Sequence, residues 1–148
     1  MRDLMKVLVT GSRDWRNTSI IDAAVRQVQE DYPAQKYELI YGCAEGADTL
    51  TRRAVQALGW SIQPFAVTPT DWYRLGPVAG HVRNQRMVDQ DPDLCLAFIM
   101  PCSKIGCRRP QGHISHGTDD CIRRARLAGV TVREYPIPTL RYQFDLFQ

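Results

Sequence analysis

Apolar and polar positions along this chain switch back and forth between two periods. Lys6-Val7-Leu8-Val9-Thr10 is a short continuous apolar run, the mark of a strand covered on both faces. Behind Asn17 or Thr18 as a cap, Ile20, Ile21, Ala24, Val25 and Val28 recur at helical spacing, and Pro33 stops that helix. Residues 37–41 predict a second strand, and Ala47, Leu50, Ala54, Ala57 and Leu58 trace a second helix closed by Gly59. A third strand over 61–67 is bent by Pro64, and 68–72 read as a loop with turn chemistry. The third helix opens at 76–80, is carried by Val82, Arg83, Arg86 and Met87, and ends at Asp91-Pro92-Asp93. Residues 94–100 form the strongest buried strand, and a long loop follows over 101–115. A fourth helix starts near Gly117-Thr118, presents Cys121, Ile122 and Ala125 to the core, and closes at Gly129; 130–134 predict the fifth strand. The tail over 136–148 alternates Tyr142, Phe144 and Leu146, and reads as an edge strand or an arm on the body or on a second subunit of a homodimer.

Strands alternating with single helices imply right-handed crossovers and a parallel sheet covered on both faces. The expected architecture is one three-layer α/β domain over 1–135, with a mostly parallel five-stranded sheet in the order 3-2-1-4-5. A length of 148 residues suits one core. Apolar residues make up 44% and charged residues 24%, which excludes a disordered chain. No apolar run approaches the roughly 20 residues of a membrane span. The first residues show no signal-peptide pattern, so the expected compartment is the cytoplasm. The net charge of +3 argues against a nucleic-acid coat. Among the basic residues, 16 Arg stand against 3 Lys; Arg suits bidentate recognition of phosphate, and a GC-rich genome accounts for the skew equally well. Five Cys, an odd number, point to free thiols or a metal site rather than a disulfide framework.

In such a sheet, ligands bind beyond the carboxyl ends of the strands where the strand order reverses, here between strands 1 and 4. The loops at that point are 11–15 and 101–118, with 42–48 alongside. All carry Gly, and each runs toward a helix N-terminus, a favourable place for phosphate. The dinucleotide fingerprint, the P-loop and the nucleophile elbow are all absent from the sequence.

Five segments stand in order at these loops: 9–15 (VTGSRDW), 41–48 (YGCAEGAD), 70–72 (TDW), 80–87 (GHVRNQRM) and 115–120 (SHGTDD). Together they resemble the YspA/YpsA-related branch of the SLOG superfamily, over roughly residues 6–134. The resemblance implies a Rossmann-like fold and a nucleotide or nucleotide-derived ligand, held by a sensor or sequestering module. It implies that Gly11, Ser12 and Arg13 approach phosphate or ribose. Gly42, Gly46 and Asp48 would shape the second loop, with Asp48 touching a sugar hydroxyl or holding the loop. Arg83 and Asn84 would face the pocket, and Gly117 and Thr118 would bind phosphate.

The chain is also similar to the Lonely-guy phosphoribohydrolases, which carry R-K-x-x-M and P-G-G-x-G-T-x-x-E. Arg83 and Met87 match the first pattern and Gly117-Thr118 part of the second, but Cys121 stands where the acidic residue belongs. An N-glycosidic hydrolase would therefore rest on Arg83 and Asp120 as its catalytic pair. A nucleic-acid binder is a third class, since the superfamily has DNA-processing members.

Cys102-x4-Cys107-x5-His113-x2-His116 puts four soft or borderline ligands into 15 residues of the long loop, a set that suits a structural zinc. The alternative is a solvated loop whose His116 helps bind ligand. Cys121 is an alternative fourth ligand or plain core. Cys43 and Cys95 read as buried small hydrophobes. Trp15 and Trp72 suit either stacking on a base or core packing, and Trp60 reads as core.

Overall fold

A computed structural model describes residues 1–110 and 112–138. The five strands are β1 (Arg2–Gly11), β2 (Ala34–Tyr41), β3 (Ser61–Pro64), β4 (Leu94–Ile99) and β5 (Thr131–Pro136). They form one sheet in the order β3-β2-β1-β4-β5, and each neighbouring pair is parallel. The helices are α1 (Thr18–Asp31), α2 (Ala47–Ala57), α3 (Pro69–Leu75), α4 (Ala79–Val88) and α5 (His116–Leu127), with a 3-10 turn over Gly76–Val78 before α4. The expected α/β architecture and strand order are both present.

The two faces of the sheet divide the core by the two-residue period of a strand. Val7 and Val9 of β1, Leu39 and Tyr41 of β2, and Leu94, Leu96 and Phe98 of β4 join Ile21, Ala24, Val25 and Val28 of α1 and Val55 of α2. On the opposite face, Leu8, Ile40 and Cys95 pack on Met87 and Val88 of α4 and on Cys121 and Ala125 of α5. All six residues of β4 are buried, as its unbroken apolar run requires.

Several boundaries differ from the sequence expectation, among them the start of β2, at Ala34 rather than 37. β1 reaches back to Arg2, because Arg2 and Leu4 pair with Ala34 and Lys36 of β2, although their side chains are exposed. β3 ends at Pro64, which pairs with Tyr41 and cannot donate to a continuing ladder. The segment expected as a turn after 68 is instead helix α3. Thr68 caps it and forms a reciprocal capping box with Asp71, and Pro69 stands in the first turn. The last strand runs to Pro136, so most of the proposed tail, 139–148, lies outside the described residues.

Trp15 is fully buried, tilted against Phe98 with ring centroids 5.4 Å apart, and its indole N–H donates to the Asn17 carbonyl at 2.8 Å. It is therefore core and is not available to a base. Trp60 is core as expected, stacked on Tyr37 and bonded to Gln29. Cys95 and Cys121 are buried, whereas Cys43 is exposed at a backbone φ of 61°, because it sits in the turn that leaves β2.

Candidate functional site

β1 and β4 lie side by side and their connections leave in opposite directions, so the carboxyl end of the sheet opens at this point. A cleft of about 540 Å³ fills the opening, within the range of small-molecule sites. Thr10, Gly11, Ser12, Arg13 and Asp14 line it from the end of β1. Ala44 and Asp48 come from the β2–α2 loop, and Gly80, His81, Arg83, Asn84 and Met87 from α4. Cys102, Ser103 and Lys104 contribute from the long loop, and His116, Gly117 and Thr118 from the first turn of α5. Val67, Trp72 and Pro77 add an apolar side, and Trp72 is about half exposed.

The first two loops are locked together through their backbones. The Ser12 carbonyl accepts from the Ala47 N–H at 3.1 Å, and the Ser12 N–H donates to Phe98 at 3.1 Å. Gly46 adopts φ +72°, and a Cβ there would stand 2.6 Å from the Ser12 carbonyl oxygen and closer still to Arg13. Gly11 admits no side chain either, since a Cβ would meet Phe98 O at 2.8 Å. The Ser12 hydroxyl accepts from the Asp14 N–H at 3.1 Å and so shapes its own loop. Gly42 and Gly46 build the cleft from behind: the Gly42 carbonyl accepts from Arg83 Nη1 at 2.6 Å and turns that guanidinium toward the β2 loop.

Asp48 is fully enclosed, and its Oδ2 accepts from the N–H groups of both Gly42 (3.1 Å) and Ala44 (3.2 Å). Burial pushes its carboxyl up to about 6, against the pull of those two amides and of Arg83 and Arg13. Its role as the holder of the loop is therefore visible, and it borders the cleft as well.

Asp120 behaves differently. Its Oδ2 accepts from Asn84 Nδ2 at 3.0 Å and Arg124 Nε at 2.9 Å, and its Oδ1 lies 3.2 Å from His81 Nδ1. Partial burial would raise its pKa, but the hydrogen bonds from Arg124 and Asn84 outweigh that and hold it below the usual carboxylate range. It lines a separate shallow cavity with Gln85 and Arg124, not the main cleft. Asn84 carries its influence inward, because the same amide also donates to the Gly117 carbonyl at 3.2 Å and ties α4 to the start of α5.

Two features bear on anions. Arg13, Arg83 and Lys104 line the cleft, and among the described residues none has a carboxylate within salt-bridge distance. Thr118 is 3% exposed, and its Oγ1 is, among the described residues, the one buried side-chain polar atom with no hydrogen-bond partner. It stands in the first turn of α5, where Ser115 makes no side-chain cap and the first N–H groups have no intrahelical partner. A Cβ on Gly117 would meet nothing within 4 Å, so the backbone there is open.

The Cys/His cluster forms one wall beside the cleft. His116 Nε2 lies 3.5 Å from Cys102 Sγ, 3.4 Å from Cys107 Sγ and 3.0 Å from His113 Nε2, and Cys107 Sγ lies 3.4 Å from His113 Nε2. All four donor atoms fall within 4.8 Å of one another, a grouping that could hold a metal ion. The Ser103 hydroxyl donates to Asp14 at 2.6 Å and joins this wall to the β1 loop. Ser103 and Lys104 lie outside the segments singled out from the sequence, and Asp14 and His81 lie within them without an assigned role; the long loop's position at the switch point is the available signal for the first two.

The arrangement defines a Rossmann-like α/β protein with a cation-lined cleft at its switch point. The model of the YspA, cpYpsA-related SLOG family (YAcAr) matches residues 5–74. The Gene 61 protein of Mycobacterium phage D29 is 35% identical over 134 residues, covering 87% of this chain and 94% of that protein. Among solved structures, DNA processing protein A (DprA) of Streptococcus pneumoniae has the same fold, with a TM-score of 0.62 at 16% identity over 88% of this chain; this chain spans 50% of that one. The chain belongs to the YspA, cpYpsA-related SLOG family. Among the described residues, no helix is long and apolar enough to cross a membrane.

Proposed function

We propose that the cleft binds a nucleotide or nucleotide-derived ligand through its phosphate and holds it without turning it over, as a sensor or sequestering module. The observation that carries this reading is the unpartnered hydroxyl of Thr118, a residue of the first turn of α5 that borders a cleft with three cations, none of which has a carboxylate within salt-bridge distance among the described residues. A buried hydroxyl without a partner costs about 1–3 kcal/mol, and a phosphate oxygen would satisfy it together with the open N–H groups of the helix start. Arg13, Arg83 and Lys104 supply the opposing charge, and Val67, Trp72 and Pro77 offer an apolar side for a base. The carboxylate that a phosphoribohydrolase would use, Asp120, is fully engaged by Asn84, Arg124 and His81 and lies off the cleft. That weighs for binding over hydrolysis.

A thermal-shift panel of mono-, di- and cyclic nucleotides and ADP-ribose, followed by product analysis, tests this. Stabilisation without turnover supports the reading; release of free base and sugar phosphate would establish the hydrolase instead. The fold shared with a DNA processing protein favours nucleic acid as a second reading. A gel shift that weakens steeply with salt would favour it, and the net charge of +3 weighs against it. The Cys2His2 cluster we read as a structural zinc site, because two thiolates and two imidazoles form a donor set suited to tetrahedral zinc.

A further inference from the structure

We propose that metal in the Cys102, Cys107, His113 and His116 cluster controls the ligand cleft: zinc builds the wall that carries Ser103 and Lys104 and fixes the first turn of α5. This rests on the nucleotide reading for its ligand, and on the cluster's geometry for everything else.

Four of the six donor separations approach the edges of a tetrahedron around one ion. Zn–S and Zn–N bonds of about 2.3 and 2.05 Å imply edges of about 3.6 Å between S and N and about 3.3 Å between two N. Three of the four S–N separations are 3.4, 3.4 and 3.5 Å and the N–N separation is 3.0 Å, and all the donor atoms lie within 4.8 Å of one another. The His113 Nδ1–H donates to the Pro110 carbonyl, which leaves the Nε2 lone pair directed into the cluster. Such an outer hydrogen bond is what orients a metal-binding imidazole.

The wall has little else to hold it. Among the described residues of 101–115 none is buried, and Ile105 is 98% exposed. Among the described residues its attachments are a single bridge between Pro101 and Ile114, the packing of Ile114 on Ala97, Ile99 and Ile122, a few backbone hydrogen bonds and the Ser103–Asp14 contact. A loop anchored to the core by one partly buried side chain is ordered by ligation, and the metal's binding free energy becomes the ordering free energy of the segment. The outer ligands are adjacent in sequence to cleft residues. Cys102 precedes Ser103 and Lys104, while His116 is the first residue of α5 and precedes Gly117 and Thr118. With two thiolates the zinc site is electrically neutral, so its action on the cleft is positional.

The test uses the full chain purified without chelator. Metal content, hydrogen exchange and ADP titration are compared between the zinc-loaded and the chelated protein. The expected result is one zinc per chain, with a tetrahedral cobalt(II) spectrum after replacement. Chelation accelerates exchange over 101–119 and 12–14, leaves β1 and β4 protected, and weakens ADP binding about tenfold or more. Cys107→Ser, at a ligand that does not line the cleft, reproduces the chelated state with zinc present in the medium. Should that variant fail to fold, chelation of the wild-type chain carries the comparison alone. Zinc below about a tenth of an equivalent overturns the proposal. So does unchanged exchange at 12–14 and 116–119 after chelation, or ADP bound equally well by both forms. If neither form binds ADP, this ligand is ruled out, and the exchange data still decide whether metal builds the wall.

Discussion

Thr118 and Asp48 are two buried polar residues that carry opposite penalties, and each leads to a distinct expectation. Thr118→Val removes an unpartnered hydroxyl at nearly constant volume. The variant should be as stable as the parent or more stable by up to about 1 kcal/mol, while ADP binding measured by calorimetry weakens about tenfold. A loss of stability with unchanged binding would mean that the hydroxyl serves the fold. Asp48 is raised from 3.8 to about 6, so the folded chain holds its proton more tightly than the unfolded chain does. Stability from this group is therefore largest below pH 4 and declines as pH rises from about 4 through 6, a difference of about 3 kcal/mol. One oxygen, Oδ2, accepts both loop amides, and an Asn carbonyl can take its place. Asp48→Asn should flatten the decline of Tm between pH 4 and 7, and a retained slope would assign it to another group. Gly46→Ala, at φ +72° against the Ser12 and Arg13 backbone, should cost about 2 kcal/mol or more in urea unfolding. The motif residues were legible because glycines at the ends of strands have few other uses. The side to which a carboxylate turns was not: Asp48 and Asp120 both stand near the starts of helices, and only packing puts one on the cleft and the other outside it.

At the scale of elements, what the sequence revealed follows what each element buries. β4, buried at all six positions, and α1, with Ile21, Ala24, Val25 and Val28 inside, follow their hydrophobic periods. Helix α3 buries no residue and so has no apolar period to read; its evidence was local, in the Thr68–Asp71 capping box and Pro69. The first three residues of β1 are similar, since backbone pairing with β2 extends it while their side chains remain exposed. A helix held by its cap alone responds to the loss of that cap locally. Thr68→Ala should raise hydrogen exchange across 69–75 about fivefold, corresponding to about 1 kcal/mol, while the global Tm stays put. A fall in Tm would show that α3 supports the core.

For the molecule as a whole, the strand order was legible from alternation alone, because crossover handedness and the burial of β4 leave few topologies. The cleft was legible only in outline, since its walls come from segments far apart in the sequence and meet through contacts such as Ser103–Asp14 and Asn84–Gly117. Ligand bound only by the folded chain stabilises the entire domain. ADP at about 100 times its Kd should add about 2.7 kcal/mol, read as a rise in Tm of about 5–10 °C. An unmoved Tm at saturating ADP would rule out this ligand. The fusion of the first two loops, through the Ser12 carbonyl and the Gly46 backbone, gives the cavity an asymmetric character. One flank is a rigid berth ready before any guest arrives, and the other is assembled from short, surface-borne pieces. Related compounds would seat against the same berth and be told apart at the more adaptable side. Changes of taste among relatives should therefore accumulate in α3 and the long loop, with the glycine turns left alone.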